Sequence, residues 1–189
     1  MNSQDNTPLE QPEQRFGSVV NGIALYSGKV STLNNSVKPM KVIETSLEMA
    51  AYTLGVKRPL GFVPTMGSLH EGHMALVHQS YSENQTTCVS IFVNPKQFGP
   101  CDDFDQYPRS LQSDLMRLED AGVELVFVPS AKEMYPSGFD TTVSVGGLSD
   151  KLEGQFRPDH FTGVSTVVTK LLAITRPNKA YFGQKDAQQ

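Results

Sequence analysis

A chain of 189 residues has room for one good-sized domain and an appendage. Its net charge of −4 and pI near 5.5 argue against a nucleic-acid-binding surface spread over the whole domain, while leaving room for a local basic pocket. No run approaches the about 18 apolar residues that suggest a membrane span, and no charged head followed by an apolar core opens the chain, so neither a membrane helix nor a secretion signal is expected.

Residues 1–39 are polar, rich in Asn, Gln, Ser and Pro, with one modest apolar patch at 19–26. Such a stretch buries too little to offset its ordering entropy and is expected as a disordered extension, with a transient strand at 22–30. Residues 41–44 open like a strand. Ser46–Leu54 reads as a short amphipathic helix with Gly55 placed to end it. An apolar run at 61–63 then predicts a buried strand, closed by Pro64 and a turn at Gly67. From Met74 the apolar residues return at helical spacing (Met74, Leu76, Val77, Tyr81), so a helix begins near Gly72. His78 falls in its body as a solvated position. Strand, glycine turn and helix in that order leave the first amides of the helix unpaired and facing the crevice, a ready anion site.

Beyond this helix, 86–93 predicts a second buried strand and 94–100 a loop leaving its end. A helix follows over 111–121, with Leu111, Leu115, Leu118 and Ala121 on one stripe and Gly122 at its end. A third strand is expected at 123–128, a turn of helix at 131–135 and an edge strand at 141–145. A well-buried helix follows at 163–174, and a short strand at 179–182 delivers Gly183-Gln-Lys-Asp186 to its end. Strands alternating with helices argue an α/β fold: a parallel sheet with right-handed crossovers and ligands outside the carboxyl ends of the strands. Cys88, in an apolar strand, and Cys101, in a Gly-Pro-Cys-Asp loop, read as free thiols of a reducing cytoplasm.

The string Pro64-Thr-Met-Gly-Ser-Leu-His-Glu-Gly-His73 resembles the nucleotide-binding signature of the pantothenate synthetase (pantoate–β-alanine ligase) family, within the wider HxGH adenylyl-transferring group. A zinc reading of the two histidines fails on spacing, because His-Glu-x-x-His needs a separation of four. Three later segments follow the family's order: Asn94-Pro-Lys-Gln97, Leu152-Glu-Gly-Gln-Phe-Arg-Pro-Asp-His-Phe-Thr-Gly-Val164 and Gly183-Gln-Lys-Asp186. The resemblance begins at about Met40, which raises the expectation that Met40 is the true initiator or that the preceding residues are an accretion. It implies a Rossmann-like fold with helices on both faces, a domain at 40–189 that stops short of the family's carboxyl-terminal domain, and a homodimer.

By the same resemblance ATP contacts Met66, Gly67, Ser68, Leu69, His70, Glu71, Gly72 and His73, together with Gly183, Gln184, Lys185 and Asp186. His70, His73 and Lys185 are the catalytic candidates, following charge as it moves onto the phosphates. Gln97, Arg157, His160 and Gln189 are expected around pantoate and β-alanine; Arg157 and His160 have the alternative role of pinning their loop to the domain. Asp186 either binds the ribose, helps place Mg²⁺ or caps the next helix. Gln184 stands where the family has Glu, and Ala187 where it has an aromatic residue. The implied reaction is ATP-dependent condensation of pantoate with β-alanine through a pantoyl adenylate. The alternatives are an inactive remnant of that enzyme or another HxGH adenylyltransferase, which would not predict Asn94–Gln97 or Arg157–His160.

Overall fold

The computed structural model describes residues 39–99 and 110–189, so the expectations for the extension and for Cys101 lie outside the described residues. In chain order the elements are β1 (Lys41–Ile43), α1 (Ser46–Leu54), β2 (Leu60–Thr65), α2 (Glu71–Glu83), β3 (Thr86–Ile91), α3 (Leu111–Asp120), β4 (Leu125–Phe127), α4 (Ala131–Met134), α5 (Glu153–Phe156), α6 (His160–Thr175) and β5 (Lys179–Ala180). Short 3₁₀ turns occupy Pro95–Gln97, Leu148–Asp150 and Gln184–Asp186. α1 keeps its expected bounds, because Thr45 caps its start by accepting from the Glu48 amide and the Gly55 amide closes its end on Tyr52.

The five strands pair in parallel in the order β1-β4-β3-β2-β5. β2, β3 and β4 step one way across the sheet, and β5 then returns to the far side of β2. The crevice where the winding reverses therefore lies between the carboxyl ends of β2 and β5, where ligands bind in sheets of this kind. Alternate strand residues feed two cores. Phe62, Cys88, Leu125 and Phe127 pack with Met49, Val167 and Leu171 of α1 and α6 on one face. Val63, Val89 and Val126 pack with Met74, Val77 and Leu118 of α2 and α3 on the other. Both faces are thus covered, which is why the central strands are apolar throughout.

Two expectations give way. β2 runs through Pro64 to Thr65 instead of closing at Pro64. The Thr65 carbonyl accepts from Phe92 and so faces β3, and the Phe62 carbonyl accepts from Tyr181 on the opposite side. Pro64 therefore turns its missing N–H toward the β5 side, where pairing has already ended after Phe62, and no ladder bond is lost. Residues 141–145 form no strand. The Val143 amide donates to Thr166 Oγ1 on α6 at 2.9 Å, so that stretch is tied to a helix and not to a sheet edge.

Candidate active site

The signature leaves β2 as a tight turn. Gly67 takes φ +85° and Ser68 φ +52°, and the Gly67 amide donates to Thr65 Oγ1 at 3.2 Å. Only glycine reaches such a φ freely, and a side chain at Gly67 would also press on Asp114 Oδ2 and Ile91 Cγ2, both at 3.1 Å. Beneath the turn, Asp114 of α3 is 2% exposed and accepts from the Ser68 and Leu69 amides, each at 2.8 Å. Arg117, one helical turn on, donates to the Leu69 carbonyl and pairs with Glu71. The sequence reading named neither residue.

α2 begins at Glu71 with His70 as its N-cap. The Gly72 amide donates to His70 Nδ1 at 3.0 Å, and the His70 amide to His73 Nδ1 at 3.4 Å. This corrects the expectation of unpaired amides at two positions: the imidazoles occupy the Gly72 amide and the N-cap amide of His70. In accepting these bonds each Nδ1 is left without a proton, so each neutral ring carries its hydrogen on Nε2 and keeps that donor for another partner. The rings lie 4.1 Å apart, tilted by 36°. Gly72 leaves room for the first ring: a Cβ there would stand 2.9 Å from His70 Cε1, so the imidazole would have to shift. Burial, foremost, holds the His73 pKa below its usual value; the charges of His70 and Lys185 lower it further, and Asp186 and Asp114 oppose them. The loop after β5 thus lies within electrostatic reach of the signature.

Within that loop Lys185 Nζ sits 2.7 Å from both carboxylate oxygens of Asp186, and Gln189 Nε2 donates to Asp186 Oδ1 at 2.9 Å. Lys185 is exposed and carries a local counter-charge. Asp186 is engaged by Lys185 and Gln189, and Gln184 is exposed.

The loop after β3 is built around Asn94, which is 1% exposed. Its Oδ1 accepts from the Tyr135 hydroxyl at 2.7 Å and from the Lys96 amide at 3.3 Å; its Nδ2 donates to Gln97 Oε1 at 3.1 Å and to the Gly163 carbonyl at 3.2 Å. Burial pushes the Tyr135 pKa up to about 12, so this hydroxyl stays a donor. Gln97 Nε2 reaches Met66 Sδ at 3.0 Å, joining the loops of β2 and β3. The Gln97 carbonyl accepts from His160 Nδ1 at 2.8 Å and from Arg157 Nη2 at 3.4 Å. A carbonyl only accepts, so His160 carries its proton on Nδ1. Arg157 and His160 make the pinning contact that the sequence reading set beside a ligand role. Gln188 completes the ring of loops, donating to the Leu148 and Lys151 carbonyls at 3.3 and 2.7 Å. Gln189 meets Asp186 and not Gln97.

Hydrogen bonds join the loops of β2 and β3, the 148–160 segment and, through Gln188, the loop after β5, around the point where the sheet reverses. The half that holds the two imidazoles and Lys185 offers donors to an anion; the half around Gln97 offers an amide suited to a carboxylate or hydroxyl. Residues 40–189 match the family described as Pantoate-beta-alanine ligase. The chain is 56% identical over 153 residues to the pantothenate synthetase of Acetivibrio thermocellus, covering 79% of this chain and 54% of that protein. The crystal structure of the Thermus thermophilus enzyme superposes with a TM-score of 0.76 at 49% identity, over 79% of this chain and 54% of that one. The Francisella tularensis ligase, solved in complex with β,γ-ATP and β-alanine, has a TM-score of 0.76 at 42% identity, over 79% of this chain and 59% of that one. The chain spans about half the length of the curated relatives it matches.

Proposed function

The chain belongs to the pantoate–β-alanine ligase family, and from that premise we propose that it carries the nucleotide- and pantoate-binding part of an enzyme that condenses pantoate with β-alanine at the expense of ATP. A pantoate carboxylate oxygen attacks the α-phosphorus and pyrophosphate leaves. The β-alanine amine then attacks the acyl carbon of pantoyl adenylate and AMP leaves, giving pantothenate. No side chain becomes a covalent intermediate; the chain's task is to position and to neutralise charge.

The observation that carries the reading is that β2 and β5 pair in parallel at the switch point, so that the loops bearing His70, His73 and Lys185 leave the same end of neighbouring strands. In this reading the Nε2–H groups of His70 and His73 donate to phosphate oxygens, and Lys185 exchanges Asp186 for the triphosphate. Gln97 exchanges its Met66 and Asn94 contacts for pantoate, with His160 and Arg157 holding its backbone and Gln189 nearby on the β5 side. Among the described residues no group of three or more His, Cys, Asp or Glu side chains is set to hold a metal. Asp186, engaged by Lys185 and Gln189, is the carboxylate of the β5 loop that would hold a Mg²⁺ accompanying the nucleotide, and the ion would supply neutralisation of phosphate charge.

The family match runs through Asn94–Gln97 and Arg157–His160, the segments another HxGH adenylyltransferase would lack. Membership of a homodimer, residence in the cytoplasm and the domain bounds 40–189 belong to the same proposal; among the described residues no helix is long and apolar enough to cross a membrane. The test is AMP release with Mg-ATP, pantoate and β-alanine, run on this chain and on one extended to the length of its relatives. Pantoate-dependent AMP from the extended chain, with much slower turnover from the 189 residues alone, is the expected result. No pantoate-dependent release from the extended chain refutes the assignment.

A further inference from the structure

Helix α3 belongs to no expected ligand segment, yet it grips the signature turn from below. Its Asp114 carboxylate is all but fully buried, and both oxygens are spent on consecutive backbone amides of the turn, Ser68 and Leu69. Arg117 takes the Leu69 carbonyl and reaches Glu71, the first residue of α2. The turn needs such a grip. Ser68 holds φ +52°, a region that costs a non-glycine residue about 1 kcal/mol or more. Two charge-assisted bonds to its own amide and the next are what keep it there. The residue directly after Leu69 is His70, whose ring caps Gly72 and packs on His73. A turn relaxed at Ser68 would therefore rotate the start of α2 and both imidazoles with it.

We infer that Asp114, assisted by Arg117, is the positioning residue of the nucleotide site: from α3 its carboxylate fixes the Gly67–Leu69 turn and so sets where His70 and His73 meet the phosphates. The inference rests on the function proposed above and deepens it, by assigning a role to a helix outside the loops at the rim. Asp114 touches neither nucleotide nor pantoate in this account; it acts through the backbone. It also adds one negative charge to the field at His73, alongside Asp186 and against His70 and Lys185.

Asp114→Asn tests this, because the amide keeps the volume but presents one acceptor to two N–H groups. Asp120→Asn, exposed on the same helix, is the control. Affinity for a non-hydrolysable ATP analogue is measured by calorimetry, and the His73 titration by NMR. The Asp114 variant should bind the analogue at least about tenfold more weakly, the loss expected for a charge-assisted bond. Its His73 midpoint should move below that of the wild type, since a charge that raises it has gone. The control should match the wild type in both.

A folded Asp114→Asn with unchanged affinity and an unchanged midpoint overturns the inference. Should that variant not fold, amide exchange in the wild type decides. Ser68 and Leu69 should be protected like core amides, and exchange at open-loop rates overturns the inference. Failure of the wild-type chain to bind the analogue counts against the ATP reading itself, while the exchange and titration still judge Asp114's hold on the turn.

Discussion

Gly163→Ala isolates the contact that presents Gln97. In α6 the glycine faces the 3₁₀ turn after β3 so closely that a Cβ would lie 2.1 Å from the Lys96 carbonyl oxygen and 2.8 Å from the Gln97 amide nitrogen. Both are backbone atoms, so neither can swing aside as a side chain would. Overpacking against such a wall belongs at the upper end of its range, about 3 kcal/mol. Alanine returns about 1 kcal/mol in helix propensity, which leaves a net loss near 2 kcal/mol. For a domain of this size each kcal/mol moves Tm by about 2–4 °C, so the melting temperature should fall by about 4–8 °C. Circular dichroism melts of the wild type, Gly163→Ala and Gly146→Ala supply the test. Gly146 has nothing within 4 Å of its ideal Cβ and should stay within about 0.5 kcal/mol of the wild type. A Gly163→Ala chain that melts at or above the wild-type temperature would show that propensity alone operates there, and that the loop is not held by backbone contact with α6.

Lys185→Ala should leave stability almost untouched, because its pair with Asp186 has side chains 65% and 27% exposed and such pairs contribute about 0–1 kcal/mol. It should nevertheless weaken binding of an ATP analogue by about tenfold or more, the value of a charge-assisted bond to phosphate; unchanged affinity in calorimetry would remove Lys185 from the site. His73 should titrate below 6.5 in the free chain, since burial and neighbouring positive charge lower it. A histidine depressed on folding destabilises the fold as pH drops: the contribution is intact above the unfolded value of about 6.5 and is lost as pH falls through the folded one. An NMR midpoint at or above 6.5 without ligand sinks this account, and so does a midpoint that fails to rise when the triphosphate analogue binds.

Much of this architecture was legible because hydrophobic period and turn chemistry agreed. At β2–α2 the apolar run gives way to helical spacing across Gly67, and at α1 the closing glycine marks the end, while the Thr45 cap at its start went unread. The misreadings arose where local signals meet tertiary choices. Thr141-Thr-Val-Ser-Val145 has strand propensity, but a strand exists only beside a partner, and its amide found Thr166 on α6. The helix-start amides were expected bare because a strand, a glycine turn and a helix leave them without intrahelical partners; the neighbouring imidazoles instead accept from the Gly72 amide and from the N-cap amide of His70.

Asp114 is the instructive omission. The stripe Leu111, Leu115, Leu118, Ala121 names the buried face of α3, and Asp114 sits on that same face, three residues after Leu111 and four before Leu118. The structure exchanges their environments: Leu111 is 42% exposed and Asp114 2%. An acidic residue inside an apolar stripe faces desolvation that only paired donors can offset, so its position alone demands partners from whatever packs on α3. The donors it found are the two amides of a turn strained at Ser68, which no spacing rule in the α3 segment could name. Thus the demand was readable and the supplier was not, and the supplier is the loop on which the proposed chemistry depends.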